Sequence, residues 1–171
     1  MNAADPIHHA FPLVADARTR VLVLGSLPGV QSLRLGHYYA NPRNQFWQLL
    51  SPVTGIDLVA LAYPDRLAAL CDVGVGLWDV VASARRAGSL DAAIRDVSPR
   101  DLRAVAANLP NLRALAFNGA TAYRIAQRQW GPDPAFEPRI DLLSLPSSSP
   151  AHAVGLAAKQ PAWNRMAAYL Q

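Results

Sequence analysis

The residues with most to offer chemically lie in one stretch, GSLPGVQSLRLGHYYANPRNQFW, which runs from Gly25 to Trp47 directly after the apolar run VLVLG. Its opening, Gly25-Ser26-Leu27-Pro28-Gly29, has glycines that let backbone approach a ligand and expose N–H donors. The pattern is neither GxGxxG nor a GK[ST] phosphate loop, which argues against the usual dinucleotide and nucleoside-triphosphate sites. Tyr38 and Tyr39 follow, and a tyrosine near a strand end either packs or stacks on a nucleobase. Two roles are open to Asn44. It is a good helix N-cap; alternatively its side-chain carbonyl orients a water while its amide contacts a ligand. An amide is no strong general base. In the second role it suffices only where the transition state is already dissociative and the water needs placing more than deprotonating. Loss of a base from deoxyribose through an oxocarbenium-like state is such a reaction.

Two further places carry polar groups after apolar runs. Asp79, in LWDVV, either contacts a base edge or caps a turn. LPSSSPAHA, Leu145 to Ala153, sets three serines between prolines, and small hydroxyl residues in a stiff loop fit closely against a phosphate backbone. His152 suits a base contact, a phosphate contact or plain solvent. A serine hydrolase built from Ser147–Ser149, His152 and Asp79 is a rival chemistry, but the GxSxG elbow is missing. His8, His9 and His37 have no metal-like spacing among themselves or with Cys71, so no metal is expected.

Elements must bring these groups together. Apolar runs at Val21–Gly25, Val73–Val81, Leu112–Phe117 and Ile140–Leu145 read as strands, and Asn44–Val53, Pro64–Cys71, Ala120–Gln129 and about Pro161–Leu170 as helices. Leu90–Arg95 reads as a short helix, and SPRDLRAVAANLP as another, with Ser98 as N-cap and Pro99 at its first position. The alternation predicts an α/β fold with a mainly parallel sheet. In such folds ligands sit beyond the carboxyl ends of the strands. The loops to watch are therefore 26–29, the region of Asp79, 118–120 and 146–153.

The bulk properties fit. A chain of 171 residues suits one domain with a full core. One cysteine rules out a disulfide framework or a four-cysteine cluster within the chain and points to a reducing cytoplasm. No secretion signal or membrane-length apolar run is evident. The formal charge of +4 comes from fifteen arginines and Lys159 against twelve acids, a balance that suits polyanions, phosphate above all.

Taken together, GSLPGVQSLRLGHYYANPRNQFW, GLWDVV (76–81), FNG (117–119) and LPSSSPAHA resemble the uracil-DNA glycosylase superfamily, closest to its hypoxanthine-DNA glycosylase branch and near the mismatch-specific uracil enzymes. The resemblance runs from about Arg20 to the C-terminus, with residues 1–19 as an extension of a single domain. It implies a three-layer α/β/α fold around a four-stranded sheet. It implies catalysis by Asn44, with backbone at Ser26 and Leu27 stabilising the departing base, and a base pocket of Gly25, Tyr39, Phe46, Asp79 and Asn118. Ser147, Ser148, Ser149, Pro150, Ala151 and His152 would meet DNA. The partner implied is double-stranded DNA carrying a deaminated or mismatched base, with single strands as a second form; neither cofactor nor metal is called for, and a monomer is expected. Lys159 would touch DNA rather than form a Schiff base. The chain departs from the family at Leu27, where mismatch-specific enzymes carry a catalytic asparagine, and at Leu145, where classical members carry histidine. A catalytically inactive DNA-binding module is therefore the alternative.

Overall fold

The computed structural model describes residues 5–130 and 138–171; the first four residues of the N-terminal extension lie outside them. In chain order the elements are β1 (Ile7–His9), β2 (Val21–Gly25), α1 (Val30–Leu35), α2 (Phe46–Thr54), α3 (Tyr63–Asp72), β3 (Val75–Asp79), β4 (Val81–Arg85), β5 (Arg95–Pro99), α4 (Leu102–Ala107), β6 (Ala114–Asn118), α5 (Ala120–Trp130), β7 (Asp141–Leu145) and α6 (Leu156–Asn164), with 3₁₀ turns at Asp91–Ala93 and Arg165–Tyr169. The four expected strands form one parallel sheet in the order β3-β2-β6-β7. Its period of two divides the side chains cleanly. Val21, Val23, Val75, Leu77, Ala114, Ala116, Leu143 and Leu145 pack under α2, α3 and α6. Leu22, Leu24, Leu115 and Phe117 pack under α4 and α5. Both faces are covered, which gives the three-layer α/β/α arrangement and explains why these strands read as continuous apolar runs.

The structure departs from expectation in four places. The run 73–81 is not one strand. The chain turns at Val80, and β4 leaves for a second, antiparallel sheet of order β1-β4-β5. The supposed extension thus supplies a strand, and Val14 bridges Leu77 of the main sheet. The expected helix 90–95 is a single 3₁₀ turn followed by β5, so Ser98 and Pro99 are extended and Asp101 caps α4 instead, accepting from the Ala104 N–H at 3.0 Å. The last helix starts at Leu156, five residues before Pro161; the proline sits inside it, where the carbonyl it cannot bond, that of Ala157, belongs to an exposed residue. The connection after β2 also holds the short helix α1, which the apolar pattern did not show.

Candidate active site

A cavity of about 760 Å³ opens at the carboxyl ends of β2, β3 and β6, lined by residues 25–32, 38, 39, 41, 43, 44, 79, 89–91, 118–121 and 147–152. β2 and β6 are neighbours whose following connections run to opposite edges of the sheet, which leaves a crevice between them. All four loops singled out above converge here.

Its floor is Gly25. A Cβ there would come within 2.6 Å of Asp79 Oδ1 and 3.1 Å of the Tyr39 hydroxyl, so only glycine lets these two groups close over the strand end. Asp79 is buried, and its Oδ2 has no hydrogen-bond partner. Burial, reinforced by Asp91, pushes its pKa up to about 7, against the pull of Arg100 and Arg86. The Tyr39 hydroxyl is likewise buried without a bond of regular geometry. Burial and the Asp79 charge raise its pKa, and the neighbouring Asn118 amide works against the rise. Tyr39 holds a left-handed φ of 54°, a conformation that costs a tyrosine about 1 kcal/mol or more and persists only where its surroundings impose it. Phe46 helps impose it: the two rings stack 3.6 Å apart and 6° from parallel.

Phe46 itself, expected in the base pocket, is fully buried behind Tyr39 and does not line the cavity. Tyr38 donates to the Pro12 carbonyl and packs edge-on against Phe11. Asn44 sits at the cavity wall, one residue before the N-cap of α2. Its Oδ1 accepts from the Phe46 N–H at 3.0 Å. The carbonyl expected to hold a water is therefore engaged as a cap, and that bond fixes the amide so that its NH₂ is the end left for a ligand.

The serine loop divides by role. Ser148, expected on DNA, is fully buried. Its N–H donates to Asn118 Oδ1 at 2.9 Å, its hydroxyl accepts from Asn118 Nδ2 at 2.8 Å, and its carbonyl accepts from the Gln45 N–H. This post also consumes most of Asn118, which was expected to read a base. Gly119, at φ +99°, brings the β6 end so close that a Cβ would lie 3.1 Å from Ser147 Cβ. Ser147 and Ser149 brace the loop by accepting from the N–H groups of Ser149 and Ala151, and no bond joins these serines to the His152 ring, which removes the basis for a hydrolase triad. His152 and Ala151 are exposed on the rim. Lys159 is not a surface residue: its Nζ is buried, donating to Gln45 Oε1 at 2.8 Å and to the His152 carbonyl at 2.9 Å, and burial lowers its pKa.

Two groups had no sequence signal. Arg86 is fully buried beneath the first loop, where its guanidinium donates to the carbonyls of Leu27, Pro28 and Gly88. Because a peptide is planar and trans, the Gly29 N–H, in the peptide whose carbonyl Arg86 holds, turns away from the guanidinium. Asp91 lines the cavity mouth and accepts from the Ser26 hydroxyl at 2.6 Å. Neither belongs to a recognisable motif; β4 and β5 bring both to the site.

Residues 11–170 match the model of the uracil DNA glycosylase superfamily. The chain is 37% identical over 155 residues, 90% of its length and 93% of the relative's, to a hypoxanthine DNA glycosylase of Methanosarcina barkeri. A hypoxanthine DNA glycosylase of Methanosarcina acetivorans is 38% identical over 148 residues, 85% of this chain and 89% of that one. The solution NMR structure of a candidate uracil DNA glycosylase from Methanosarcina acetivorans superposes with a TM-score of 0.81 at 35% identity, covering 96% of this chain and 99% of that one. The chain belongs to the uracil DNA glycosylase superfamily. It is a DNA glycosylase, a hydrolase of the N-glycosyl bond.

Proposed function

We propose that this chain hydrolyses hypoxanthine from deoxyinosine in duplex DNA, takes mispaired uracil as a second substrate, and so opens base excision repair as a monomer. The observation that carries this reading is the pair of unpartnered groups at the cavity floor, Asp79 Oδ2 and the Tyr39 hydroxyl. Hypoxanthine and uracil each present a ring N–H beside a carbonyl; adenine and cytosine present a bare ring nitrogen there. A carboxylate accepts from the N–H and a phenol donates to the carbonyl, so this pair tells hypoxanthine from adenine and uracil from cytosine, the bases they derive from; correctly paired guanine and thymine are protected by the higher cost of flipping them. Two relatives bearing the name hypoxanthine DNA glycosylase support the purine as first substrate. Flipping the nucleotide costs a few kcal/mol, least for a mispair. Phe46 backs the Tyr39 ring and holds its hydroxyl toward the base edge, and the Asn44 NH₂ holds the attacking water. The N–H groups of the first loop receive the charge that grows on the departing base, and Arg86 keeps that loop's carbonyls turned inward.

Single-turnover base release tests the reading, with labelled duplexes carrying hypoxanthine, uracil, xanthine or thymine and alkaline cleavage at abasic sites. Release of hypoxanthine, falling on the order of 100-fold or more in Asn44→Ala, is the expected result. Release of thymine or xanthine with hypoxanthine left intact would sink it.

A further inference from the structure

We propose that Asp91 is the base that takes the proton from the attacking water; this role rests on the glycosylase chemistry proposed above. The cavity lining contains two carboxylates, Asp79 and Asp91. Asp79 is buried under Gly25 at the cavity floor, where the reading above commits it to the ring N–H of the base. Asp91 is exposed at the mouth, so its charge is solvated until DNA covers it. Its geometry is fixed from several sides. The Ser26 hydroxyl holds Oδ1 at 2.6 Å, and Oδ2 has no hydrogen-bond partner among the described residues. The 3₁₀ turn closes through the bonds Ala93 N–H to Leu90 carbonyl and Ile94 N–H to Asp91 carbonyl. The strap leading to it is pinned where Ser89 Oγ accepts from the Val30 N–H at 2.9 Å and where Arg86 Nε donates to the Gly88 carbonyl at 2.9 Å.

A fixed carboxylate at the mouth of a site for a polyanion weakens binding. The same charge favours a sugar that becomes cationic, so it acts in the transition state and not in the ground state. The division of labour with Asn44 follows from its chemistry: its carbonyl already accepts from the Phe46 N–H, its NH₂ donates to a water, and an amide is too weak a base to take the water's proton. In the step, the C1′–N9 bond breaks and its electron pair leaves on the base. The water oxygen bonds to C1′, its proton passes to Asp91 Oδ2, and that proton returns to solvent. The base anion takes a proton from solvent.

The test compares Asp91→Asn and Asp91→Glu with wild type. Asparagine preserves an acceptor for Ser26 and removes the charge; glutamate keeps the charge on a longer arm. Single-turnover release of hypoxanthine is measured at saturating enzyme, and affinity separately on a duplex bearing 2′-fluorodeoxyinosine, which resists hydrolysis. Asp91→Asn is expected to lose roughly 100-fold or more in rate while binding as tightly as wild type or more tightly; Asp91→Glu keeps more of the rate than Asp91→Asn. A rate within threefold of wild type in Asp91→Asn, or rate and affinity falling together, overturns the role and leaves the glycosylase reading standing. A wild type that releases no hypoxanthine overturns the substrate reading and this role with it.

Discussion

At the scale of single residues, the costly group is Asp79. A carboxyl whose pKa rises to about 7 in the folded chain prefers its proton there more than in the unfolded chain. Its contribution to stability is therefore fully present at low pH and is lost as the pH rises from about 4 to 7, the reverse of a salt-bridged aspartate. Asp79→Asn removes this titration. The variant should melt several degrees above wild type at pH 8, equivalent to ~1–3 kcal/mol, with the difference shrinking at pH 5. Differential scanning calorimetry at the two pH values checks it, and a gap independent of pH would show that burial is not what Asp79 costs. The same variant should lose activity, since an amide in place of the acid blurs the choice between lactam and amino bases. That a destabilising acid persists on a glycine floor is what a residue held for its ligand looks like.

At the scale of elements, the serine loop is held by a side chain of another strand. Asn118 and Ser148 exchange two hydrogen bonds in a buried setting, so Asn118→Ala strands the Ser148 N–H and hydroxyl. It should cost about 1–3 kcal/mol and weaken DNA binding through a loosened 147–152 loop. Asn118→Ala with Ser148→Ala should cost less than the two single changes added, by ~0.5–3 kcal/mol in a double-mutant cycle; strict additivity would mean the pair is not the post. Elements of this kind mark where the sequence was readable. The four parallel strands were plain because burial on both faces makes each a continuous apolar run. β4 was not, because Val80 and Val81 extend the apolar run of β3 and nothing local marks the turn between two sheets. α6 was misplaced because Pro161 reads as a helix start, whereas an exposed carbonyl one turn earlier lets it sit inside. Asn44 was legible by type and position, but which end of its amide faces the cavity depended on the Phe46 N–H. Arg86 and Asp91 were invisible because only the pairing of β4 with β5 carries them to the first loop.

For the whole molecule, the formal charge of +4 and the cluster of His152, Arg43 and serine-loop donors at the cavity rim set how it meets DNA. Binding should weaken with salt along a log–log slope of roughly −3 to −5, the signature of releasing a handful of counterions at about 0.9 per phosphate. Anisotropy of a labelled duplex titrated with potassium chloride gives the slope, and a flat line would place the affinity in the base pocket alone. The two sheets also divide the catalytic wall between them. Tyr39, Asp79 and Asn118 belong to the parallel sheet and its immediate connections; Asp91 hangs from the antiparallel sheet. Exchange of the β4–β5 segment would therefore replace Asp91, and with it one of the charges felt by Asp79 and Tyr39, while Tyr39, Asn44, Asp79 and Asn118 keep their places, so this fold can be retuned by inheritance without rebuilding its crevice.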